Sequence, residues 1–88
     1  MFEVAETHEF RRLLAQFPAA DRRRLEQKLA SYVYPILRVN PLSGPNIKRL
    51  VGFSPATWRY RVGEFRVFFE VHDNLVIITA VHRRRDAY

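Results

Sequence analysis

The sequence predicts an α+β fold in which an N-terminal strand and a two-helix hairpin pack on an antiparallel β-sheet, in the order βααββββ. Two periodicities predict this fold, because apolar residues recur at helical spacing early in the chain and alternate with a period of two from Ile47 onward. Composition is the third observation. With 48% hydrophobic and 14% aromatic residues among 88, the chain has enough apolar material for one core, so we expect a single domain over residues 1–88.

The N-terminal half is predicted to contain one strand and two helices. Phe2–Ala5 is short and apolar, as expected of a strand, and Thr7 is a suitable N-cap for the helix that follows. The apolar face of this helix consists of Phe10, Leu13, Leu14 and Phe17. Pro18 interrupts the helix and suits the start of a second one, whose predicted apolar face consists of Leu25, Leu29, Tyr32, Val33 and Ile36. Prolines remove backbone donors, so Pro35–Pro45 is predicted to be an irregular connection.

The second half is predicted to form four strands, at Ile47–Val51, Thr57–Val62, Phe65–Val71 and Leu75–Val81. A two-residue turn at Gly63-Glu64 fits type II′, which places glycine first. This turn puts the following side chains on the core face: Trp58, Tyr60, Val62, Phe65, Val67 and Phe69. The other face then holds Arg59, Arg61 and Arg66, with Phe68 and Glu70 further along. Arg61 directly opposes Arg66, a destabilising pairing that a bound anion would offset.

The orientation of the last strand is left open by the sequence. A two-residue turn at Asp73-Asn74 places His82 on the core side, whereas a three-residue loop that includes His72 places it beside the arginines. A slip of one residue exchanges the two faces of a strand, and both faces of Leu75–Val81 are mostly apolar.

The charge of the chain is strongly positive. Fifteen Lys and Arg, thirteen of them Arg, against nine Asp and Glu give a net charge of +6 and a pI near 10.5. Residues 38–88 contain nine basic and four acidic residues, so this part carries +5 of that charge. The excess predicts an anionic partner such as nucleic acid, and the preference for arginine favours bidentate phosphate or carboxylate contacts.

Several classes of site are excluded by composition. The chain has no cysteine, which excludes disulfides, zinc–thiolate sites and thiol catalysis. It also has no close histidine pair and no carboxylate cluster, so we predict neither a metal site nor a cofactor. No signal peptide and no membrane-spanning segment is apparent, so we expect a cytoplasmic protein that does not contact membranes.

The run WRYRVGEFRVFFEV at residues 58–71 and the ending VHRRRDAY at residues 81–88 resemble the RelE/ParE toxin superfamily. The early strand and the helical hairpin, with Phe17-Pro18 at its corner, agree with the layout of that superfamily. The resemblance implies a RelE-like fold and a toxin paired with a cognate antitoxin. RelE-type members are metal-independent endoribonucleases that enter the ribosomal A site and cut the mRNA, where a ribose 2′-hydroxyl attacks the adjacent phosphate. The alternative is a ParE-like inhibitor of DNA gyrase, which acts by binding and has no nuclease chemistry.

The resemblance also implies the site residues. Arg59 and Arg61 match two lysines of RelE, and Arg66 matches an arginine that contacts the scissile phosphate. His82 and Arg83 match the basic pair that closes the last strand, although one extra residue before Tyr88 makes Arg84 an alternative to Arg83. Tyr88 matches a tyrosine that stacks on the substrate or helps to activate it. The implied catalytic residues are therefore Arg61, Arg66, His82, Arg83 and Tyr88.

The proton chemistry departs from that of RelE. An arginine at the position of the RelE base stays protonated at neutral pH, so His82 becomes the first candidate for proton transfer. Glu70 is a second candidate base, although an ion pair with a neighbouring arginine is the simpler role for it. Further RNA contacts are predicted at Lys48, Arg49, Arg59, Arg84 and Arg85. An acidic segment of the antitoxin is expected to cover the same surface and so to compete with ribosome-bound mRNA.

Overall fold

The predicted α+β fold is confirmed by a computed structural model, which describes residues 1–86. The helices are α1 (His8–Ala15), α2 (Ala19–Lys28) and α3 (Tyr34–Val39), with a π-helical turn at Leu29–Val33 and a final 3₁₀ turn at Arg84–Asp86. The strands are β1 (Glu3–Glu6), β2 (Ile47–Arg49), β3 (Trp58–Val62), β4 (Phe65–His72) and β5 (Leu75–Arg83). Among the residues described, no helix is long and apolar enough to cross a membrane.

The five strands form one sheet in the order β1-β5-β4-β3-β2. The predicted antiparallel pairing holds from β2 through β5. β1 joins the sheet in parallel beside β5, with Glu3 opposite Leu75 and Glu6 opposite Ile78. A parallel pair needs a long crossover, and here the helices and the rest of the sheet lie between these two strands in the chain. The edge strand β2 has only three residues, which limits its open hydrogen-bonding groups.

The helical segment continues through Pro35, which the sequence had placed in an irregular connection. In the π-helical turn the Tyr34 N–H donates to the Leu29 carbonyl, five residues back. Pro35 consequently lies in the first turn of α3, where a missing N–H costs little. The chain therefore stays helical from Ala19 to Val39.

The same π-helical turn changes which side chains of this segment are buried. Leu25, Leu29, Val33 and Leu37 are buried at a spacing of four residues. In a regular α-helix with 3.6 residues per turn, Tyr32 and Ile36 would lie on the buried face. In the structure these two side chains are 38% and 43% exposed. The predicted apolar face was wrong at these two positions because the wide turn advances the apolar stripe by one residue.

The helices cover one face of the sheet, and the core lies between them. The β3–β4 hairpin has the predicted register, with Val62 opposite Phe65 and Arg61 opposite Arg66. Gly63 has φ +58°, as the first position of the predicted turn requires. The sheet contributes the following buried side chains to the core: Tyr60, Val62, Phe65, Val67, Phe69, Val76, Ile78 and Val81.

A β-bulge in β5 determines the orientation of His82. The turn between β4 and β5 has two residues, since His72 pairs with Leu75. A regular strand would then place His82 on the core side. However, Phe68 pairs with Ala80 and Phe69 with Ile78, so Thr79 is an extra residue. The bulge exchanges the two faces from Ala80 onward, and His82 lies directly opposite Arg66 on the face away from the helices.

The change of helical phase can be tested by truncating two neighbouring side chains. We expect Leu37→Ala to lower the free energy of unfolding by about 2–5 kcal/mol, because it removes a fully buried side chain. Ile36→Ala is the matched control and should cost less than about 1 kcal/mol. Urea denaturation followed by circular dichroism measures both values, and equal losses would contradict the observed phase.

Candidate nucleic-acid interface

The sheet face opposite the helices carries two rows of side chains that cross the strands. In one row Lys48 is paired with Arg59, and Arg59 with Phe68. In the other row Arg61 is paired with Arg66, and Arg66 with His82. Directly opposed residues have Cβ atoms about 4.5–5.5 Å apart, so each row brings its cations close together. The surface formed by Lys48, Arg59, Arg61, Arg66 and His82 is called the basic face below.

The guanidinium of Arg66 is held in place by the β3–β4 turn. Its Nη1 donates to the carbonyl oxygens of Gly63 at 3.0 Å and Phe65 at 2.9 Å, and the residue is only 4% exposed. Hydrogen bonds to a charged group are stronger than neutral ones. The positive charge is therefore fixed in position before any ligand binds, which is the arrangement that stabilises developing negative charge best.

Arg59 offers a donor that lacks a partner. Its Nε is buried and makes no hydrogen bond with any residue that the structure describes. A buried donor without a partner costs about 1–3 kcal/mol. An anion bound beside Arg59 would accept this hydrogen bond and remove that cost.

A cavity of about 770 Å³ adjoins the basic face. Six cationic side chains and one carboxylate line it: Lys48, Arg59, Arg66, Arg83, Arg84, Arg85 and Glu64. Arg84 and Arg85 are exposed in the 3₁₀ turn that follows β5, and the Arg84 N–H donates to the Glu64 carbonyl at 2.7 Å. The lining is dominated by positive charge and is suited to a phosphate group.

Arg83 has its guanidinium on the helix side of the sheet, because it is paired with the core residue Phe65. It forms ion pairs with Asp21 at the start of α2 and with Glu64 in the turn, the latter at 3.0 Å. It also lies 5.3 Å from the ring centroids of Phe17 and Phe65. The hydrogen bond to Asp21 raises the pKa of Arg83 further above its usual value. Of the two alternatives for the substrate-facing arginine, these contacts favour Arg84 over Arg83.

Alternation along β2 separates two residues that were predicted to bind RNA. Lys48 is on the basic face, opposite Arg59. Arg49 is opposite Trp58, and its guanidinium carbon lies 5.6 Å from the centroid of the Trp58 ring. Since neighbouring residues of a strand point to opposite faces, Arg49 does not join the basic face.

Glu70 pairs with His72 and not with an arginine, because its Oε1 lies 2.9 Å from the His72 Nε2. It is on the same face as Arg66 but four residues further along β4, about 13 Å away at the usual rise of a strand. That separation is too large for Glu70 to act as a base on a phosphate held by Arg66. His82 is the side chain directly opposite Arg66.

Two side chains that hold the site together were not predicted. Asp21 and Glu64 bind Arg83, and Asp21 is 62 residues away from it in the chain. An aspartate at the start of a helix is explained by its favourable interaction with the helix dipole, so nothing in the local pattern indicates a distant partner. The predicted site residue Tyr88 lies outside the described residues. Among the side chains that are described, no group of three or more His, Asp or Glu is arranged to hold a metal ion.

The family profile described as the ParE toxin of type II toxin–antitoxin systems, parDE, matches residues 5–88. The chain belongs to the ParE toxin family. It is a toxin of a type II toxin–antitoxin system within the RelE/ParE superfamily, as the sequence motifs predicted. Among curated proteins, none matches this toxin.

Solved structures with the same fold include toxins bound to antitoxins. The RelBE2 toxin–antitoxin complex of Mycobacterium tuberculosis contains a chain 26% identical to this toxin, with a TM-score of 0.70 over 94% of this chain and 98% of that one. The archaeal RelE–RelB complex of Pyrococcus horikoshii contains one 23% identical, with a TM-score of 0.69 over 98% of both chains. The YoeB dimer of Staphylococcus aureus is 17% identical, with a TM-score of 0.67 over 90% and 92% of the two chains.

The ion pairs of Arg83 can be tested through the stability of the toxin. We expect Asp21→Asn to lower the midpoint of urea denaturation, because it leaves Arg83 with a weaker partner between α2 and the turn. Since the pKa of Arg83 is raised in the folded state, its contribution is complete at neutral pH and is lost only when the pH rises through that pKa. The loss should therefore be the same at neutral and mildly alkaline pH.

Glu9→Gln is the matched control for Asp21→Asn. Glu9 also binds an arginine, Arg12, but both of these side chains are more than half exposed. Exposed pairs contribute little, so the midpoint should hardly change. An equal, small effect of the two substitutions would show that the Asp21–Arg83 pair does not hold the hairpin against α2.

Proposed function

We propose that this toxin is a ribosome-dependent endoribonuclease that cuts mRNA in the A site and so inhibits translation. The observation that carries the proposal is the pair of Arg66 and His82, a fixed cation directly opposite an imidazole on the basic face. A phosphate bound at Arg66 would lie beside an imidazole, a side chain that can accept or donate a proton. A surface that only bound a partner would not need the imidazole at this position.

In the proposed reaction the RNA supplies its own nucleophile. His82 takes the proton of the 2′-hydroxyl, the 2′-oxygen forms a bond to phosphorus, and the bond from phosphorus to the 5′-oxygen breaks. The leaving oxygen takes up a proton, for which the resemblance offers the phenol of Tyr88. The products are a 2′,3′-cyclic phosphate and a 5′-hydroxyl. Arg61, Arg66 and Arg84 stabilise the charge of the phosphorane, and no metal takes part.

An antitoxin that covers the basic face would control this activity. The similar chains from Mycobacterium tuberculosis and Pyrococcus horikoshii are both found in complexes with antitoxins. We propose that the cognate antitoxin of this toxin carries an acidic segment, because the cavity beside the basic face is lined by six cations and one carboxylate. Ribosomes and mRNA would meet the same surface in the cytoplasm.

The second candidate function is inhibition of DNA gyrase by binding alone. The match to the ParE family favours it. So does the presence of Arg59 and Arg61 at positions where RelE carries lysines. A gyrase inhibitor that acts by binding alone would give His82 no chemical role. Substitution of His82 therefore distinguishes the two functions.

Substitution of the proposed catalytic pair tests the nuclease. We expect His82→Gln to lower the rate of mRNA cleavage on ribosomes by about 10²–10⁴-fold, because it removes proton transfer. Arg66→Lys should lower it by about 10²–10³-fold, because lysine keeps the charge but loses the planar guanidinium. Primer extension on ribosome-bound mRNA measures the cuts, and circular dichroism verifies that the variants fold.

Arg23→Gln is the control, since Arg23 is exposed on α2 and lies away from the basic face. It should leave cleavage unchanged. Intact mRNA in cells whose growth the wild-type toxin has stopped, together with induction of the DNA-damage response, would reject the nuclease and select the gyrase inhibitor.

The salt dependence of RNA binding tests the phosphate contacts of the basic face. Three or four contacts, at about −0.7 each, predict a slope of about −2 to −3 for log K against log salt with single-stranded RNA. Arg59→Gln should make the slope smaller in magnitude by about 0.7, whereas Arg23→Gln should leave it unchanged. Fluorescence anisotropy with a labelled oligonucleotide measures these slopes, and an unchanged slope for Arg59→Gln would remove Arg59 from the interface.

A further inference from the structure

A second cavity, of about 430 Å³, opens on the same face of the sheet. It lies between strands β4 and β5 and the loop that joins β2 to β3. Two aromatic rings line it, Phe53 from the loop and Phe68 from β4, together with the polar side chains of Glu70, Thr79 and His82. Phe53 is 56% exposed although it is large and apolar. The cavity thus combines exposed aromatic surface with a carboxylate.

This cavity borders the larger cavity that adjoins the basic face. Arg59 and Phe68 are directly opposed, and so are Arg66 and His82. In each pair the arginine lines the first cavity and the partner lines the second. The two cavities are therefore separated by a single cross-strand step, about 4.5–5.5 Å between Cβ atoms.

We propose that the second cavity is a nucleobase subsite, which holds the base of a nucleotide whose phosphate lies on the basic face. The inference rests on the proposed ribonuclease function and extends it to base selectivity. The base would stack on Phe53 and Phe68, and Glu70 would accept hydrogen bonds from its edge. Stacking on an aromatic side chain is the usual way in which proteins hold an unpaired base.

The spacing along β4 fits one nucleotide. Counting from Arg66, Phe68 is two residues and Glu70 four residues further on, about 7 and 13 Å at the usual rise of a strand. All three side chains are on the same face, because the period of a strand is two. Along β4, Arg66 would contact the phosphate, Phe68 the face of the base and Glu70 the edge of the base. This is the order of these three parts in a nucleotide.

Glu70 gives the subsite a preference. An ionised carboxylate only accepts hydrogen bonds, and it has acceptor sites beyond the one that faces His72. It therefore favours bases that carry an exocyclic amino group, as carboxylates do with the N4 amino group of cytosine. Uracil has no amino group and is expected to be the least favoured base. The subsite selects adenine, cytosine or guanine over uracil at one position of the codon.

A library of mRNAs with every base at each position of the A-site codon tests the subsite. The probe is ribosome-bound mRNA, and cuts are quantified by primer extension. We expect wild-type cleavage to disfavour uracil at one position next to the cut, and Glu70→Gln to reduce that discrimination by about tenfold at this position alone. Phe53→Ala should lower cleavage by about tenfold at all codons, because it removes stacking.

Val51→Ala is the matched control. Val51 belongs to the same loop and is 94% exposed, but it does not line the cavity. It should leave both rate and discrimination unchanged. If the wild-type toxin cuts mRNA, and the Glu70→Gln and Phe53→Ala variants cut every codon at the wild-type rate, the subsite is rejected and the nuclease stands. If the wild-type toxin makes no ribosome-dependent cuts, both proposals fail.

Discussion

One extra residue in β5 determines which side chains share the basic face. Before the bulge Val76 and Ile78 point into the core, and after it Val81 does. If Thr79 were paired with Phe68 in a regular ladder, Val81 would lie opposite Arg66 and His82 opposite the core residue Phe65, on the helix side. The Thr79 hydroxyl donates to the Phe68 carbonyl at 3.2 Å, which supplies a hydrogen bond where the ladder is interrupted. The proposed chemistry depends on this bulge, because it alone brings an imidazole opposite Arg66.

The basic face concentrates positive charge because the acidic residues are used elsewhere. Arg11, Arg12 and Arg24 on the helices bind Glu6, Glu9, Asp21, Glu26 and Glu64, and Arg83 binds Asp21 and Glu64 as well. In contrast, Lys48, Arg59 and Arg61 take part in no ion pair with the residues that the structure describes. Most of the acidic residues thus neutralise the helix side, and the uncompensated charge lies on the sheet.

Local rules predicted the hairpin well and failed where the chain departs from a regular period. The register of β3 and β4 followed from the glycine of a two-residue turn, which fixes every pair that comes after it. The π-helical turn and the bulge each insert one residue, and no residue type in the sequence requires either. The bulge at Thr79 and the burial of Leu37 therefore depend on tertiary packing. The ion pairs of Arg83 could not be predicted either, since they join residues far apart in the chain.

The position of Arg83 bears on how the toxin and its antitoxin would compete. Asp21 and Glu64 hold Arg83 by ion pairs, and in the 3₁₀ turn that follows β5 Arg84 and Arg85 line the cavity of the basic face. An acidic antitoxin segment and an RNA backbone would both be attracted to this uncompensated positive charge. An acidic peptide offers no base to stack on Phe53, so the nucleobase subsite would add affinity for RNA only. Selectivity between the two partners would then arise from the aromatic cavity, while the charge attracts both.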